Sequence, residues 1–121
     1  MDNLKDKKIL LCVTGSIAAF KACEFIRLLR KQGCSVKVVM SNSAQDFIGK
    51  LSLAALSYNE VLTESNQSGL EHVKFAIEFD AVVVLPATAN ILCKAGSGIA
   101  DDIISTILSI CEQPKLFAPA M

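Results

Sequence analysis

Hydrophobic and polar positions near the start of the chain change their period twice, and each change marks a predicted element. Lys8 to Thr14 is a short apolar run followed by glycine, which is typical of a buried parallel strand. From Ile17 to Lys31 apolar residues return every three or four positions with charged residues between them, which predicts an amphipathic helix that Gly33 ends. Ser35 to Met40 is apolar and β-branched again. Together these segments predict a βαβ unit with a right-handed crossover.

The rest of the chain continues this alternation of strands and helices. The predicted elements are, in order, short helices over 44–48 and 51–56, a polar surface loop over 60–69, a helix over 70–79, a strand over 81–85, helices over 90–95 and 101–111, and a strand over 115–118. Pro86 is expected to end the third strand. The order predicts an α/β fold with a Rossmann-like (flavodoxin-like) parallel sheet and helices on both faces, a three-layer α/β/α arrangement in one domain over 1–121.

Composition and charge narrow the classes of function. Apolar residues make up 52% of the 121 positions and charged residues 20%, which excludes intrinsic disorder. The net charge is zero, so binding to nucleic acid or to an anionic membrane has no electrostatic support. The five cysteines include no C-x-x-C pair, which favours a protein of the reducing cytoplasm. The N-terminal apolar run is too short for a leader peptide or a membrane span, which agrees with that location.

The residues that follow the predicted strands are the candidates for ligand binding, because ligands of parallel sheets bind beyond the carboxyl ends of the strands. The turn 14–17 contains Gly15 and Ser16 and leads into a helix, which suits a phosphate, although Ser16 could simply cap that helix. The second strand is followed by Ser41, Asn42 and Ser43, which could likewise serve as caps. The third leads into 86–90, where small residues would let a flat ligand approach. The three turns together predict one phosphorylated, planar ligand.

His72 is the only histidine, and therefore the only side chain whose usual pKa lies near neutrality. It is a candidate general base, or an ordinary histidine at a helix end. No metal site is predicted, because no His, Cys, Asp or Glu residues have the spacing of metal ligands. Asp101 and Asp102 are interpreted as acids that complement a helix dipole.

Six short motifs, spread in order over nearly the whole chain, resemble the homo-oligomeric flavin-containing cysteine decarboxylases. They are Thr14-Gly15-Ser16-Ile17-Ala18-Ala19-Phe20-Lys21, Val39-Met40-Ser41-Asn42-Ser43-Ala44 with Phe47-Ile48, His72-Val73, Pro86-Ala87-Thr88-Ala89-Asn90, Gly98-Ile99-Ala100-Asp101-Asp102 and Ala118-Pro119-Ala120-Met121. The resemblance implies FMN as the cofactor and His72 as the active-site base. The flavin contacts that it implies are Gly15, Ser16, Ile17, Ser41, Asn42, Ser43, Thr88, Ala89, Asn90, Ile91 and Ala120.

The resemblance also implies a reaction, in which phosphopantothenoylcysteine, a small molecule, is decarboxylated to phosphopantetheine for coenzyme A synthesis. The implied assembly is a homo-trimer or a larger homo-oligomer, for which Phe20, Phe25 and Phe47 could lie in the core or at an interface. Two alternatives share the motifs: a peptidyl-cysteine decarboxylase and a non-catalytic FMN-binding regulatory subunit. A flavin prenyltransferase has a related fold, but His72 and the Ala-Pro-Ala-Met motif argue against it.

In the family the last motif continues into an asparagine and, further on, a substrate clamp with a catalytic cysteine. The sequence stops at Met121, and none of its cysteines matches that position. We therefore expect a flavin domain that is C-terminally incomplete, holding most of the flavin site without the full apparatus for turnover. In many bacteria a ligase domain follows on the same chain, and no part of it is visible here.

Overall fold

A computed structural model describes residues 5–64 and 78–119. The strands are β1 (Lys8–Val13), β2 (Ser35–Met40), β3 (Ala81–Ala87) and β4 (Lys115–Pro119). The α-helices are α1 (Lys21–Lys31), α2 (Lys50–Ser57), α3 (Ala89–Ser97) and α4 (Ile103–Ile110), and two 3₁₀ helices cover Ile17–Phe20 and Ser43–Asp46. None of the helices in these two ranges combines the length and apolar character that crossing a membrane requires.

The four strands form one parallel sheet in the order β2-β1-β3-β4. Cys12 of β1 lies between Val39 of β2 and Val84 of β3, which fixes the register across the centre of the sheet. Since every strand runs in the same direction, the turns that follow them reach the same edge of the sheet.

Two apolar clusters cover the two faces of the sheet, because alternate residues of a strand point to opposite sides. Leu10 packs towards α3 and α4, whereas Leu11 packs towards α1 and α2, and both are fully buried. Burial on both faces explains why β1 is an unbroken apolar run rather than an alternating one. The predicted three-layer α/β/α fold is confirmed.

The helix predicted over 17–31 is divided into the first 3₁₀ helix and α1. Ser16 caps the 3₁₀ turn, since its hydroxyl accepts a hydrogen bond from the Ala18 N–H at 3.2 Å. In α1, Ala22 and Ile26 are four residues apart and buried against the sheet, as the amphipathic pattern predicts. Gly33 follows with a φ of 90°, a left-handed conformation that favours glycine, and reverses the chain into β2.

Two predictions of local structure are wrong. Pro86 does not end β3, because an irregularity in the β3–β4 ladder between Val84 and Ala87 accommodates a residue that has no N–H to donate. The predicted polar loop over 60–69 also begins too early. Leu62 lies beside β2 like a short additional strand: its N–H donates to the Val38 carbonyl at 3.0 Å and its carbonyl accepts from the Met40 N–H at 2.8 Å. Residues 65–77, including most of the helix predicted over 70–79, lie outside the described part of the chain.

Candidate functional site

A cavity of about 260 Å³ opens at the carboxyl-end edge of the sheet. Its lining comes from the turns after β1, β2 and β3, from the first turns of α3 and α4, and from Glu64 in the segment after Leu62. The lining residues are Thr14, Ser41, Asn42, Ser43, Glu64, Thr88, Asn90, Ile91, Asp102 and Ile104. Hydroxyl and amide groups from turns that are far apart in the sequence therefore face one space.

The turn after β1 forms a base for this cavity. Thr14 is buried, and its hydroxyl donates to the carbonyl of Pro86, which ties the end of β1 to the end of β3. Gly15 lies against the turn after β2, where a Cβ atom would come 2.6 Å from the Cβ of Ser43 and 2.9 Å from its carbonyl carbon. Only glycine permits this approach, so the two turns are in direct contact.

The turn after β2 combines capping with exposed polar groups. The Ser41 hydroxyl accepts from the Ala44 N–H at 3.2 Å and lies 3.2 Å from the Ser43 hydroxyl, so it caps the second 3₁₀ helix. Asn42 and Ser43 are exposed in the cavity wall. Capping therefore accounts for Ser41, while the other two side chains remain available to a ligand.

The turn after β3 leads directly into α3. Thr88 is the N-cap, and its hydroxyl accepts from the Ile91 N–H at 3.4 Å. Thr88, Asn90 and Ile91 all line the cavity, so the positive end of the helix dipole is directed at this space. A helix N-terminus of this kind favours an anion such as a phosphate.

Two carboxylates in the wall, Glu64 and Asp102, were not among the predicted site residues. Asp102 is the N-cap of α4, where its Oδ1 accepts from the Ser105 N–H at 2.7 Å and from the Ser105 hydroxyl at 2.6 Å. Its Oδ2 accepts from Lys94 Nζ at 2.8 Å. Burial alone would raise the pKa of the Asp102 carboxyl, but the hydrogen bonds from Lys94 and Ser105 outweigh it and hold that pKa below its usual value.

Glu64 completes the capping of α4, because its Oε1 accepts a hydrogen bond from the Ile103 N–H. Protein carboxylates thus occupy the N-terminal N–H groups of α4, whereas a neutral hydroxyl caps α3. The spacing of Asp102 and Ser105 is a capping pattern that the sequence could have revealed. Glu64 had no such signal, since its partner is 39 residues away.

The remaining predicted residues lie elsewhere or beyond the described ranges. Ser16 caps the first 3₁₀ helix, Ile17 is 79% exposed outside the cavity, and Ala89 begins α3 without lining the cavity. His72 and Ala120 lie outside the described residues. The structure therefore brings together Ser41, Asn42, Ser43, Thr88, Asn90 and Ile91 from the predicted set.

The donor chemistry of the cavity fits a flavin mononucleotide. Hydroxyl and amide groups beside the N-terminus of α3 suit a phosphate, and Ile91 and Ile104 offer apolar surface to a flat ring. The carboxylates of Glu64 and Asp102 would repel a phosphate, which makes the two sides of the cavity electrostatically different. In the described residues no three His, Cys, Asp or Glu side chains are grouped so as to hold a metal ion.

The chain is similar in sequence to known proteins over nearly its whole length. The flavoprotein family matches residues 1–121. The chain is 43% identical over 122 residues to the coenzyme A biosynthesis bifunctional protein CoaBC of Bacillus subtilis (strain 168), covering 98% of the chain and 30% of that protein. It is 41% identical over 121 residues to the probable phosphopantothenoylcysteine decarboxylase of Streptococcus mutans serotype c (strain ATCC 700610 / UA159), covering 95% and 68%.

The chain is also similar to solved structures. The FMN-dependent cysteine decarboxylase TvaF from thioviridamide biosynthesis superposes with a TM-score of 0.89 at 34% identity, covering 95% of this chain and 74% of that one. A C175S mutant of PPC decarboxylase, complexed with pantothenoylaminoethenethiol, gives 0.84 at 27% identity, covering 97% and 68%. The chain therefore belongs to the flavoprotein family.

Proposed function

We propose that this chain binds FMN in the cavity and forms the flavoprotein part of a phosphopantothenoylcysteine decarboxylase that acts in the cytoplasm. The observation that carries the proposal is the convergence of three polar turns on one cavity at the carboxyl-end edge of the sheet. The named relatives support it, although the chain spans only 30% of the length of the bifunctional one, so the reaction itself is part of the proposal.

The electrostatic difference between the two sides of the cavity suggests how FMN is oriented. The phosphate would lie beside Asn42, Ser43 and the N-terminus of α3, since the other side carries carboxylates. The ring would lie against Ile91 and Ile104. Gly15 serves this arrangement by letting the turns after β1 and β2 approach each other. The same proposal assigns flavin contacts to Ser16, Ile17, Ala89 and Ala120.

When bound, FMN would supply the oxidation of the substrate's cysteine thiol that makes the neighbouring carboxylate easy to lose as carbon dioxide. The protein's own part is to hold and orient the reactants and to move a proton. We assign the role of base to His72, whose usual pKa near neutrality suits proton abstraction. Thr14 would keep the bottom of the cavity rigid through its hydrogen bond to the carbonyl of Pro86.

A peptidyl-cysteine substrate is the second candidate. A solved peptidyl-cysteine decarboxylase, EpiD, superposes with a TM-score of 0.85 at 27% identity, covering 96% of this chain and 71% of that one. The sequences of the coenzyme A relatives are closer, at 41% and 43%, which favours the small-molecule substrate. Supplying the full-length protein with each substrate in turn and measuring carbon dioxide release distinguishes them.

We also propose that copies of this chain associate, as a homo-trimer or a larger homo-oligomer. Ile17, Phe20, Phe47 and Leu51 are all more than half exposed and lie on the segments that follow β1 and β2. Large exposed apolar side chains of this kind are typical of interfaces. Phe25, by contrast, packs against the core. Sedimentation of the Phe20→Ser variant should show a smaller species than the parent chain. An unchanged assembly would contradict the proposal that Phe20 lies at an interface between copies.

The central test uses His72→Asn in the full-length protein. We expect carbon dioxide release to be abolished while the visible flavin spectrum, and the FMN released on denaturation, stay unchanged. A non-catalytic FMN-binding subunit would release no carbon dioxide with either sequence. Normal decarboxylation by the variant would refute the assignment of the base, and absence of flavin from the parent protein would refute the site.

A further inference from the structure

A second concave surface, the basic groove, lies between α1 and α2 and has a volume of about 460 Å³. Its lining residues are Arg27, Arg30, Lys31, Ala55, Leu56 and Tyr58. The groove is at the opposite end of the sheet from the flavin cavity, because the Asn59 amide next to Tyr58 donates to the carbonyl of Val36 at the start of β2, at 2.7 Å. The six residues of β2 separate the two sites by about 20 Å.

Positive charge is concentrated in the basic groove. Arg27, Arg30 and Lys31 are three and four residues apart on α1, so their side chains share one face of the helix, and all three are exposed. In the ranges 5–64 and 78–119 no carboxylate lies within ion-pair distance of any of them. Since the whole chain has no net charge, these three residues form a local excess of positive charge, which favours the binding of an anion.

Tyr58 adds an aromatic surface to these cations. It ends α2 in a left-handed conformation, with a φ of 59°, and its side chain is turned outwards so that the residue is 76% exposed. The guanidinium carbon of Arg30 lies 4.3 Å from the centre of the ring and covers one face of it. The exposed remainder of the ring can therefore stack on a planar group.

We propose that the basic groove binds a nucleoside polyphosphate, with its phosphates on Arg27 and Lys31 and its base stacked on Tyr58. A nucleoside polyphosphate combines several negative charges with a planar base, whereas a bare phosphate would use the cations alone. Ala55 and Leu56 give the floor of the groove apolar surface, and the groove has the size of a small-molecule site. Its distance from the flavin cavity makes this binding independent of the proposed decarboxylase function.

Fluorescence of Tyr58 provides a test that needs no variant. It is the only tyrosine in a chain without tryptophan, so its emission reports on the basic groove alone. We expect ADP to quench this emission saturably at low salt, with inorganic pyrophosphate and adenosine each binding at least tenfold more weakly. Binding should weaken as salt rises, because exposed charges are screened. The ADP affinity should be the same with and without excess FMN.

Variants then locate the binding by calorimetry. Replacing both Arg27→Gln and Lys31→Gln should weaken ADP binding about tenfold or more, since two charge-assisted hydrogen bonds are lost. Tyr58→Leu should weaken ADP binding severalfold without changing the affinity for pyrophosphate. Lys21→Gln, a cation at the other end of α1 and outside the groove, is the matched control and should leave ADP binding unchanged.

Several results would overturn the proposal. ADP that neither quenches Tyr58 nor releases heat would do so directly. Pyrophosphate that binds as tightly as ADP would show a general anion site, and competition between ADP and FMN would place ADP in the flavin cavity. Circular dichroism of each variant, compared with the parent chain, separates a lost contact from a lost fold.

Discussion

Replacing Gly15 with alanine tests the contact between the turns after β1 and β2. The added Cβ would come 2.6 Å from the Cβ of Ser43 and 2.9 Å from its carbonyl carbon, both closer than carbon atoms can approach. A side chain could rotate away, but the carbonyl carbon belongs to the backbone. The turn after β2 must therefore move as a unit, and Asn42 and Ser43 in the cavity wall move with it.

The expected cost follows from the overlap. Forcing one extra carbon into a closely packed contact costs about 1–3 kcal/mol, and a backbone partner puts this case towards the upper part of that range. For a chain of this size the melting temperature falls by about 4 °C for each kcal/mol. We thus expect a decrease of roughly 8–12 °C in melting temperature, together with a loss of FMN affinity, because the shifted residues line the cavity.

Thermal and urea unfolding of the chain measure the first effect, and FMN titration measures the second. Gly96→Ala is the matched control, since the residue is in α3 and the added Cβ would meet nothing within 4 Å beyond its own stretch of helix. There alanine should stabilise the chain by about 0.5–1 kcal/mol, because glycine is unfavourable in a helix. A Gly15→Ala chain as stable as the parent, with unchanged FMN affinity, would refute the inferred contact.

Three further predictions concern single residues of the site and its surroundings. Asp102→Asn should reduce the free energy of unfolding at pH 7 by about 1 kcal/mol, since the ion pair with Lys94 is lost while asparagine still caps α4. Folding lowers the pKa of Asp102, so this loss of stability should be present above about pH 4, the usual pKa of an unfolded aspartate. It should disappear as the pH falls through the pKa of Asp102 in the folded chain. Urea unfolding at a series of pH values measures both. Cys93 is exposed and should react with a thiol reagent in the folded chain, whereas Cys12 should react only after unfolding, because burial, with Cys111 and Asp102 nearby, raises the pKa of its thiol to about 12. Thr14→Val should cost about 1–3 kcal/mol in urea unfolding, because it leaves the buried carbonyl of Pro86 without its donor.

Each of these predictions has a control or a contradicting result. Asp101→Asn should cost less than Asp102→Asn, since Asp101 is the more exposed of the two carboxylates that bind Lys94 at 2.8 Å. A deficit for Asp102→Asn that persists at pH 2 would contradict the role of its charge. Rapid labelling of Cys12 in the folded chain would contradict its burial, and a Thr14→Ser variant should keep most of the stability that Thr14→Val loses.

The strands and the amphipathic helix could be predicted because their signals are local. β1 and β2 are apolar runs buried on both faces, and the prediction for β1 differs from the structure by a single residue. Ser41, Asn42 and Thr88 could be named as candidates because parallel strands bring their following turns to one edge. The topology rule therefore carried information about the site as well as about the fold.

The missed features depend on partners that are distant in the sequence. Whether Pro86 ends β3 is decided by the irregular pairing with β4, which no local pattern encodes. Glu64 lies in a polar segment, and its hydrogen bond from the Ile103 N–H joins residues that are 39 positions apart. No local pattern marks Lys94, because its two carboxylate partners lie seven and eight residues further on, beyond the end of its helix.

The sheet order also determines when in folding the cavity can form. Ile9 of β1 pairs with Ala81 of β3, and the Thr14 hydroxyl bonds to Pro86, 72 residues away. Local contacts can build β1, α1 and β2 early. The bottom of the cavity forms only after the chain between β1 and β3 has closed into a loop, and such long-range closure is slow for parallel sheets. Flavin binding would therefore report completed folding, and a nascent chain released before residue 81 would contain a βαβ unit with no place for the cofactor.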